Sequence, residues 1–336
     1  MKLISINLLA YNSKKYLPYC LPSLINQTYK NIEINIIDNN SEDGTEKYIN
    51  DIIKKTNKPG INYFKNKKNL GFSVGHNQGI NNAKGEYILI VNPDIVLAGD
   101  AIAQLVSTME KEPRAAAIGP KLLQWKIEKN EFTDLLDSAG LLILKSHRVV
   151  ERGNSEKSNL YNLKEEVWGI TGACMLVKKS ALESIKYQNQ YFDNSFFAYK
   201  EDIDLCYRLR LAGYKIIFAP ASIGWHARTT TAGKIKEGKK NTLAKRKQKS
   251  TLINFHSYKN NLSCLIKDEF LINLLLYFPW IFFYEIKKFF YLLIFERKTL
   301  AGLYYFIKNL PLTLRWRNAI FRQRKISARD VRKFIN

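Results

Sequence analysis

Cysteines are few in this sequence, and long uninterrupted hydrophobic runs are absent. The 336 residues include four cysteines, which are widely spaced and form no Cys-x-x-Cys pair. This spacing argues against a disulfide framework and is typical of buried thiols in a reducing compartment. In the C-terminal region the longest uncharged run covers residues 270–284, which falls short of the ~20 residues needed to span a bilayer. The N-terminal residues show no basic and apolar leader, so we expect no secretion signal.

Positive charge is concentrated towards the end of the chain. The whole sequence has a formal net charge of +23, and residues 228–336 alone contain 24 Lys and Arg against 6 Asp and Glu. A content of 46% hydrophobic and 12% aromatic residues is that of a globular chain, not of a disordered one. The sequence therefore predicts a globular domain followed by a basic tail.

Apolar segments alternate with helix-like segments through the first 95 residues or so. Helices are predicted over residues 15–27, from Ser41 and from about Ser73, and the strands between them are KLISINLLA, IEINIIDNN, INYFKN and YILIVNPD. This alternation predicts an α/β fold in which a mostly parallel central sheet is covered by helices on both faces.

Polar residues follow each predicted strand, at the edge where such sheets bind ligands. Asp38 can accept the imide N–H of a uracil or thymine base, or it can simply cap the turn that follows it. The tripeptide Asn92-Pro93-Asp94 can place a carboxylate on a divalent cation that also holds a diphosphate, or it can be only a turn. The residue pattern alone leaves both pairs of alternatives open.

A helix is predicted over residues 201–212, because apolar residues recur there at helical spacing. Asp202 lies on the apolar face of the first turn, where the helix dipole keeps a carboxylate ionised, and this position suits a general base. The alternative is that Glu201 and Asp202 only complement the dipole. Asp204 lies off this face and is expected to pair with Arg208.

Six motifs resemble those of the family 2 inverting glycosyltransferases of the GT-A fold, most closely their rhamnosyltransferase-like branch, which builds bacterial surface polysaccharides. The resemblance covers about residues 3–228 and rests on the order and spacing of all six. They are LLAYNS, IDNNSEDGT, NLGFSVGHNQGI, VNPDI, WGITGACMLVKKSAL and FDNSFFAYKEDIDLCYRLRLAGYKIIFAP. The resemblance implies a GT-A catalytic domain at residues 1–228, with a nucleotide-sugar half at about 1–123 and an acceptor half at about 124–228.

The resemblance also implies binding roles for the donor nucleotide sugar at the strand ends. Ala10 and Tyr11 look like first-strand contacts to the nucleotide, and Asp38 looks like the acid that reads the pyrimidine base. Asn77, in the glycine-rich segment, is expected beside the ribose and the diphosphate.

A Mg²⁺ or Mn²⁺ ion is the cofactor that the resemblance implies. Asp94 matches the last position of the family's DxD metal motif, whereas Asn92 stands at the first position, so one expected carboxylate is missing. His226 matches a histidine that completes the metal shell in related enzymes, and neutral imidazole is a suitable ligand.

The segment WGITGACMLVKK is expected to have a mixed role. Trp168 can offer an aromatic face to a sugar, and Gly172 with Ala173 can let the backbone approach the donor hexose. The alternative is a buried strand, which favours the same residue types. Residues 124–166 are expected to form a variable loop over the donor site with no chemistry of its own, and the charged residues 151–157 to be solvated.

The chemistry implied is a single in-line displacement at the anomeric carbon, with Asp202 as general base and Glu201 orienting the acceptor or the base. The implied reaction moves L-rhamnose from dTDP-rhamnose to a hydroxyl of a lipid-linked glycan. The alternative uses a UDP-linked galactofuranose, glucose or N-acetylglucosamine.

The tail, residues 229–336, begins with a polar basic stretch and continues with aromatic and leucine residues interleaved with lysine and arginine. This pattern predicts amphipathic helices in the membrane interface, held partly by anionic lipids, on the cytoplasmic inner face of the cell membrane. The alternatives are a buried helical subdomain and a homodimer interface. Anchoring is expected to separate from chemistry if the chain is cut near Lys267.

A basic tail can also bind nucleic acid, with the N-terminal fold as a scaffold. The long aliphatic stretches between its basic residues argue against this function, because a nucleic-acid groove does not need them. We therefore expect no nucleic-acid partner.

Overall fold

The computed structural model describes residues 1–56, 60–228 and 251–336. The polar basic stretch predicted at the start of the tail lies outside these residues. The strands are β1 (Ile4–Ala10), β2 (Ile32–Asp38), β3 (Ile61–Lys65), β4 (Tyr87–Val91), β5 (Ile95–Leu97), β6 (Ala115–Lys126), β7 (Glu131–Ser138), β8 (Leu141–Ile143), β9 (Val149–Glu151), β10 (Glu165–Glu166), β11 (Cys174–Lys178) and β12 (Lys215–His226).

The helices begin between β1 and β2 and continue to the end of the chain. They are α1 (Leu17–Ile25), α2 (Thr45–Thr56), α3 (Gly71–Asn82), α4 (Ala101–Lys111), α5 (Lys179–Ile185), α6 (Glu201–Leu211), α7 (Thr251–Asp268), α8 (Leu271–Leu276), α9 (Phe278–Phe295), α10 (Arg297–Gln323) and α11 (Ala328–Arg332).

The central sheet has the strand order β10-β12-β6-β11-β4-β1-β2-β3. The four strands predicted from the sequence, β1 to β4, pair in parallel, with β4 beside β1. In the second half β12 pairs with β6 in parallel, whereas β11 runs antiparallel to both β4 and β6. The predicted α/β fold with helices on both faces is therefore confirmed. Because β11 runs antiparallel to β4, its beginning lies at the edge where β4 ends.

Two hydrophobic cores lie on the two faces of the sheet. One contains α1, α2 and α4, and the other contains α5, α6 and side chains from α7 and α10. Alternate residues of a strand point to opposite faces, which is why both cores include residues of the same strands. The four cysteines are free and buried, as predicted.

Residues 124–166 differ from the predicted surface loop. They form the end of β6 and all of β7, β8, β9 and β10, and β7 extends the sheet by pairing with β6. Glu151, which was expected to be solvated, lies beside Arg228 with Oε1 2.9 Å from its guanidinium. This segment is therefore part of the folded domain and carries charged side chains towards the end of β12.

The C-terminal region is helical, as predicted, and its first helix packs against the α/β domain. The ammonium of Lys267, in α7, has no exposed surface and lies 2.7 Å from Asp193 and 2.5 Å from Asp204. Tyr207, in α6, donates a hydrogen bond to Glu269, and Arg317, in α10, donates to the carbonyl of Glu269. Cutting the chain near Lys267 would remove Glu269 and Arg317, so we expect such a cut to weaken the packing around α6. The separation of anchoring from chemistry at this point stays a prediction.

Large hydrophobic side chains are exposed mainly on α8, α9 and α10. Sixteen of the 24 that are exposed in the described part of the chain belong to residues 271–314. No helix within the described ranges is long and apolar enough to cross a membrane. The exposed apolar side chains of this region are Leu271, Ile272, Leu275, Leu276, Phe278, Trp280, Phe282, Phe283, Phe290, Leu293, Ile294, Phe295, Tyr304, Tyr305, Ile307 and Leu314.

Candidate active site

Four elements meet at one edge of the sheet: β4 and β12 end there, and β11 and α6 begin there. The N–H of Asn92, just after β4, donates to the carbonyl of Ala173, just before β11, at 2.9 Å. One residue earlier, the N–H of Gly172 donates to Oδ2 of Asp202 at 3.0 Å. The fold thus places Asp202 beside the turn that Asn92 and Ala173 share.

Gly172 is needed where it lies because Asp202 approaches it closely. A Cβ atom on Gly172 would lie 3.1 Å from Cβ of Asp202 and 3.3 Å from the ring of Phe72. These distances are tighter than ordinary van der Waals contacts, so a larger residue would displace the carboxylate. The sequence predicted that Gly172 lets the backbone approach the donor, whereas the structure shows that it accommodates Asp202.

The acidic side chains at the start of α6 have different environments. Asp202 is half-buried and keeps contact with solvent, whereas Glu201 and Asp204 are buried. Burial, followed by the charge of Asp202, raises the pKa of Glu201 well above its usual range. Asp204 pairs with Arg208 at 2.8 Å, as predicted, but in the interior and not at the surface. Asp202 is therefore the acid of this turn that can reach a substrate.

A chain of charged side chains lies at the end of β12. Nδ1 of His226 lies 2.8 Å from Oδ2 of Asp137, and Nε2 lies 3.4 Å from Oδ2 of Asp94. Arg228 donates to the other oxygen of Asp137 and contacts Glu151. Because a carboxylate only accepts, Nδ1 carries a proton towards Asp137, and Nε2 faces Asp94. A metal ion at Nε2 would displace the proton that this nitrogen carries in the imidazolium.

The pKa values of these buried side chains are set by the attraction between their opposite charges. Burial alone would lower the pKa of His226, but the charges of Asp94 and Asp137 outweigh it and raise the pKa to about 9. Burial alone would raise the pKa of Asp137, but His226 and Arg228 lower it to about 2. Asp137 is therefore an ionised carboxylate that holds the imidazole in place.

The predicted metal ligands fit a divalent cation that is shared with a diphosphate. Asp94 and Nε2 of His226 face each other, and Asn92 lies two residues before Asp94. Within the described residues no group of three or more His, Cys, Asp and Glu side chains is arranged to hold a metal ion. Because Mg²⁺ is commonly bound through one or two carboxylates plus substrate phosphates, a two-ligand site is compatible with such an ion.

Asp38 does not present its carboxylate to a ligand. The residue has no exposed surface, Oδ1 accepts from the N–H and hydroxyl of Ser41, and Oδ2 accepts from the hydroxyl of Tyr63 at 3.0 Å. These bonds are those of the turn-cap alternative, and the contact of Asp38 with a base stays a prediction. Its neighbour across the ladder, Ala10, is also buried, whereas Tyr11 is half-exposed and accessible.

Asn77 has a structural role in this fold. Its amide nitrogen donates to the carbonyl of Phe192 and to Asn194, and its Oδ1 accepts the N–H groups of Tyr191 and Phe192. These bonds tie α3 to the segment before α6, so the amide is not directed at a ribose or a diphosphate as predicted.

Trp168 and Ala173 also differ from the predicted sugar contacts. Trp168 is buried, and its ring packs edge-on against Tyr207 with centroids 5.0 Å apart. The indole therefore offers no face to a sugar. Ala173 is buried in the core, although its backbone carbonyl holds Asn92 at the site.

Sequence reasoning missed Asp137 and the part played by residues 124–166. The signal available was weak: Asp137 is the second-to-last residue of a β-strand that follows a charged stretch, and nothing local marks it as a partner of His226. The two residues are 89 positions apart, so only the pairing of β6 with both β7 and β12 brings them together.

The α/β sheet has a carboxylate just after β4, a histidine facing it and an acid at the start of α6, and its architecture is that of the GT-A class of fold. Solved structures agree: the mannosyltransferase PcManGT from Pyrobaculum calidifontis, in complex with GDP-Man and Mn²⁺, matches with a TM-score of 0.56 and 14% identity, covering 96% of this chain and 85% of that one. GalNAc-T7 with UDP, GalNAc and Mn²⁺ matches with a TM-score of 0.57 and 16% identity, covering 68% of this chain and 44% of that one.

The chain belongs to glycosyl transferase family 2, whose family model matches residues 5–186. Among curated relatives, the glycosyltransferase GlyG of Streptococcus pneumoniae is 33% identical over 35% of this chain and 38% of its own length. The poly-beta-1,6-N-acetyl-D-glucosamine synthase of Staphylococcus epidermidis is 26% identical over 68% of this chain and 51% of its own length. The chain thus spans between about a third and a half of these relatives.

Proposed function

We propose that this chain is an inverting glycosyltransferase that moves a sugar from a nucleotide-sugar donor to a hydroxyl of a lipid-linked glycan in bacterial surface polysaccharide synthesis. The observation that carries the proposal is the placement of Asp202 beside the turn that leads to Asn92 and Asp94. One edge of the sheet thereby offers an accessible base together with a site for a diphosphate. Family membership supports the same activity.

The reaction needs a base on the acceptor side and charge stabilisation on the leaving group. The acceptor oxygen forms a bond to the anomeric carbon while the bond from that carbon to the diphosphate oxygen breaks, which inverts the configuration. Asp202 takes the proton of the hydroxyl, because its carboxylate keeps contact with solvent at the start of α6. Oδ2 of Asp202 is held by the N–H of Gly172, which orients the acid towards the acceptor.

Asp94 and His226 would hold a Mg²⁺ or Mn²⁺ ion, and Asp137 would fix the imidazole for it. When bound, such an ion neutralises charge on the departing nucleoside diphosphate. Support comes from the facing arrangement of these two side chains and from the GT-A structures described with Mn²⁺.

Two observations favour different classes of nucleotide-sugar donor. The six sequence motifs resemble the rhamnosyltransferase-like branch and favour dTDP-rhamnose. The match to a poly-beta-1,6-N-acetyl-D-glucosamine synthase over 68% of this chain favours a UDP-sugar, with N-acetylglucosamine ahead of glucose and galactofuranose.

The helical region is proposed to bind the inner face of the cell membrane, on the cytoplasmic side. The contact of its many exposed apolar side chains with water is unfavourable, and exposed basic residues lie among them in the sequence. Apolar side chains beside cationic ones match the interface of an anionic bilayer, whereas a second copy of this chain would bring like charges together. Within residues 271–315 the exposed basic residues are Lys287, Arg297, Lys298, Lys308 and Arg315.

The test is a donor screen with the full chain. dTDP-rhamnose, UDP-N-acetylglucosamine, UDP-glucose and UDP-galactofuranose are each incubated with the protein, Mn²⁺ and a lipid-diphosphate-linked glycan, and release of nucleoside diphosphate is measured. With one donor class we expect the wild type to release more nucleoside diphosphate than the Asp202→Asn variant does. Release from no donor, or equal release by the variant, would contradict the proposed activity.

A further inference from the structure

The segment that leads into the proposed base has an unfavourable backbone conformation. Tyr199 and Lys200 both adopt left-handed angles, with φ of 68° and 75°, although neither is glycine. They directly precede Glu201 and Asp202, the first two residues of α6. Consecutive left-handed residues with side chains persist only when the surrounding structure imposes them, and such conformations cluster at functional sites.

Helix α7 supplies the contacts that impose this conformation. Asn260 has no exposed surface, and its amide nitrogen donates to the carbonyl of Ala198 at 3.0 Å and to that of Tyr199 at 2.7 Å. One residue earlier, the ammonium of Lys259 donates to the carbonyl of Ser195 at 2.6 Å. Because only the NH₂ end of an amide can donate to two carbonyls, these partners also fix the orientation of the Asn260 side chain.

The position of Asp202 depends on where this segment ends. The carboxylate must reach the N–H of Gly172, and Cβ of Asp202 already lies within 3.1 Å of the position a Gly172 side chain would take. A shift of the start of α6 would therefore move the carboxylate away from this bond. The proposed metal ligands lie on other elements, after β4 and at the end of β12, and they do not depend on this segment.

We propose that Asn260 is a positioning residue for the base, so that the C-terminal helical region forms part of the catalytic apparatus. This inference rests on the proposed function, because it concerns the same base. The helix that precedes the apolar surface thus also sets the geometry of Asp202. Asn260 touches neither the proposed acceptor site nor the donor site and acts only through the backbone of residues 198–199.

Asn261 is the matched control for Asn260. It lies next to Asn260 in the same helix, is the same residue type, and donates to Glu285 in α9 at 3.2 Å instead of to the segment before α6. Substitutions at the two positions have the same effect on helix propensity, so a difference between them reports the contact with residues 198–199.

The experiment compares Asn260→Ala and Asn260→Asp with Asn261→Ala and Asn261→Asp in the full chain. For each protein we measure kcat and KM with the most active donor of the screen, and the affinity for the matching nucleoside diphosphate with Mn²⁺ by calorimetry. We expect the Asn260 variants to lower kcat by about tenfold to a hundredfold, because a misplacement of about 1 Å can cost this much. Donor KM and nucleotide affinity should stay within about twofold, and the Asn261 variants should match the wild type.

A purely structural role would lower kcat, nucleotide affinity and the thermal unfolding midpoint together, and this result would overturn the proposal. Unchanged kcat in both Asn260 variants would also overturn it.

Hydrogen–deuterium exchange separates this inference from the proposed activity. Peptides covering residues 193–203 should exchange faster in the Asn260 variants than in the Asn261 variants. If the wild type is inactive but exchange is faster in the Asn260 variants, the proposed function is contradicted and the contact of Asn260 with residues 198–199 is still supported. Equal exchange in all variants would show that Asn260 does not hold the segment.

Discussion

Nδ1 of His226 lies 2.8 Å from Oδ2 of Asp137, a carboxylate that has almost no exposed surface. This pair turns Nε2 of the imidazole towards Asp94. A histidine whose other nitrogen is held by a carboxylate is oriented for metal binding before the metal arrives.

Asp137→Ala is therefore expected to weaken Mn²⁺ binding in the presence of a nucleoside diphosphate by about 10- to 100-fold, the usual effect of losing such a partner. Calorimetry or electron paramagnetic resonance of Mn²⁺ measures this affinity. Asp134→Ala is the control, since Asp134 lies in the same strand and is exposed. Equal Mn²⁺ affinity in the Asp137 variant would rule out this role.

Asp202→Asn is expected to lower kcat for transfer by about 10²- to 10⁴-fold, because the amide cannot accept the proton of the acceptor hydroxyl. Affinity for the nucleoside diphosphate should be retained, since the proposed mechanism uses Asp202 only on the acceptor hydroxyl. Transfer rate and calorimetric affinity are measured on the same preparation. Retained turnover would remove Asp202 from the mechanism.

Glu201→Gln is expected to change how stability depends on pH. Burial and the charge of Asp202 raise the pKa of Glu201 well above the ordinary 4.5, so the folded chain holds a proton that the unfolded chain releases. The wild type therefore loses stability as pH rises above 4.5 towards the raised folded value, whereas glutamine cannot ionise.

Urea unfolding at pH 5 and pH 8 checks this prediction: the free energy of unfolding of the variant relative to the wild type should increase between the two. The exposed Glu42→Gln is the control. A pH-independent difference would show that Glu201 is ionised in the folded chain.

Lys267→Met is expected to destabilise the fold by about 3–5 kcal/mol, because it removes the cation that pairs with the buried carboxylate of Asp193 and leaves Asp204 with Arg208 alone. Urea unfolding measures the loss. Lys84→Met, at an exposed lysine, should change stability little. A small effect at Lys267 would mean that its ion pairs contribute little to the packing of α7.

Phe283→Glu combined with Phe295→Glu is expected to release the protein from anionic vesicles, because both side chains are exposed, by 68% and 67%. Sedimentation with phosphatidylglycerol-containing vesicles at low salt measures binding. Phe64→Glu with Phe132→Glu is the control, since these exposed residues lie away from the helical region.

High salt should release only part of the wild type, because it screens the charges but not the apolar contacts. If the wild type stays in the supernatant, the membrane proposal is wrong. If the wild type forms a concentration-dependent dimer that the double variant disrupts, the exposed apolar surface binds a second copy of this chain and not a membrane.

The sequence by itself determined the alternation of strands and helices and the edge at which the polar strand ends meet. It did not determine the burial of the acids of α6, because Asp202 was expected on the inward face, whereas Asp204 is the one with no exposed surface. These features are encoded locally: hydrophobic periodicity reports which residues are buried, and polar residues after a strand mark its end. The helical character of the tail follows from the same periodicity.

Only the tertiary structure decided which polar side chains form hydrogen bonds within the protein. Asp38 and Asn77 look like ligand contacts in the sequence, yet their hydrogen bonds are made to Ser41 and Tyr63 and to residues 191–194. Conversely, Asp137 and Asn260 have no local signal and gain their roles from residues 89 and more than 60 positions away. The physical reason is that a buried polar group must be paired, and its partner is chosen by the packing of distant elements, which local periodicity does not encode.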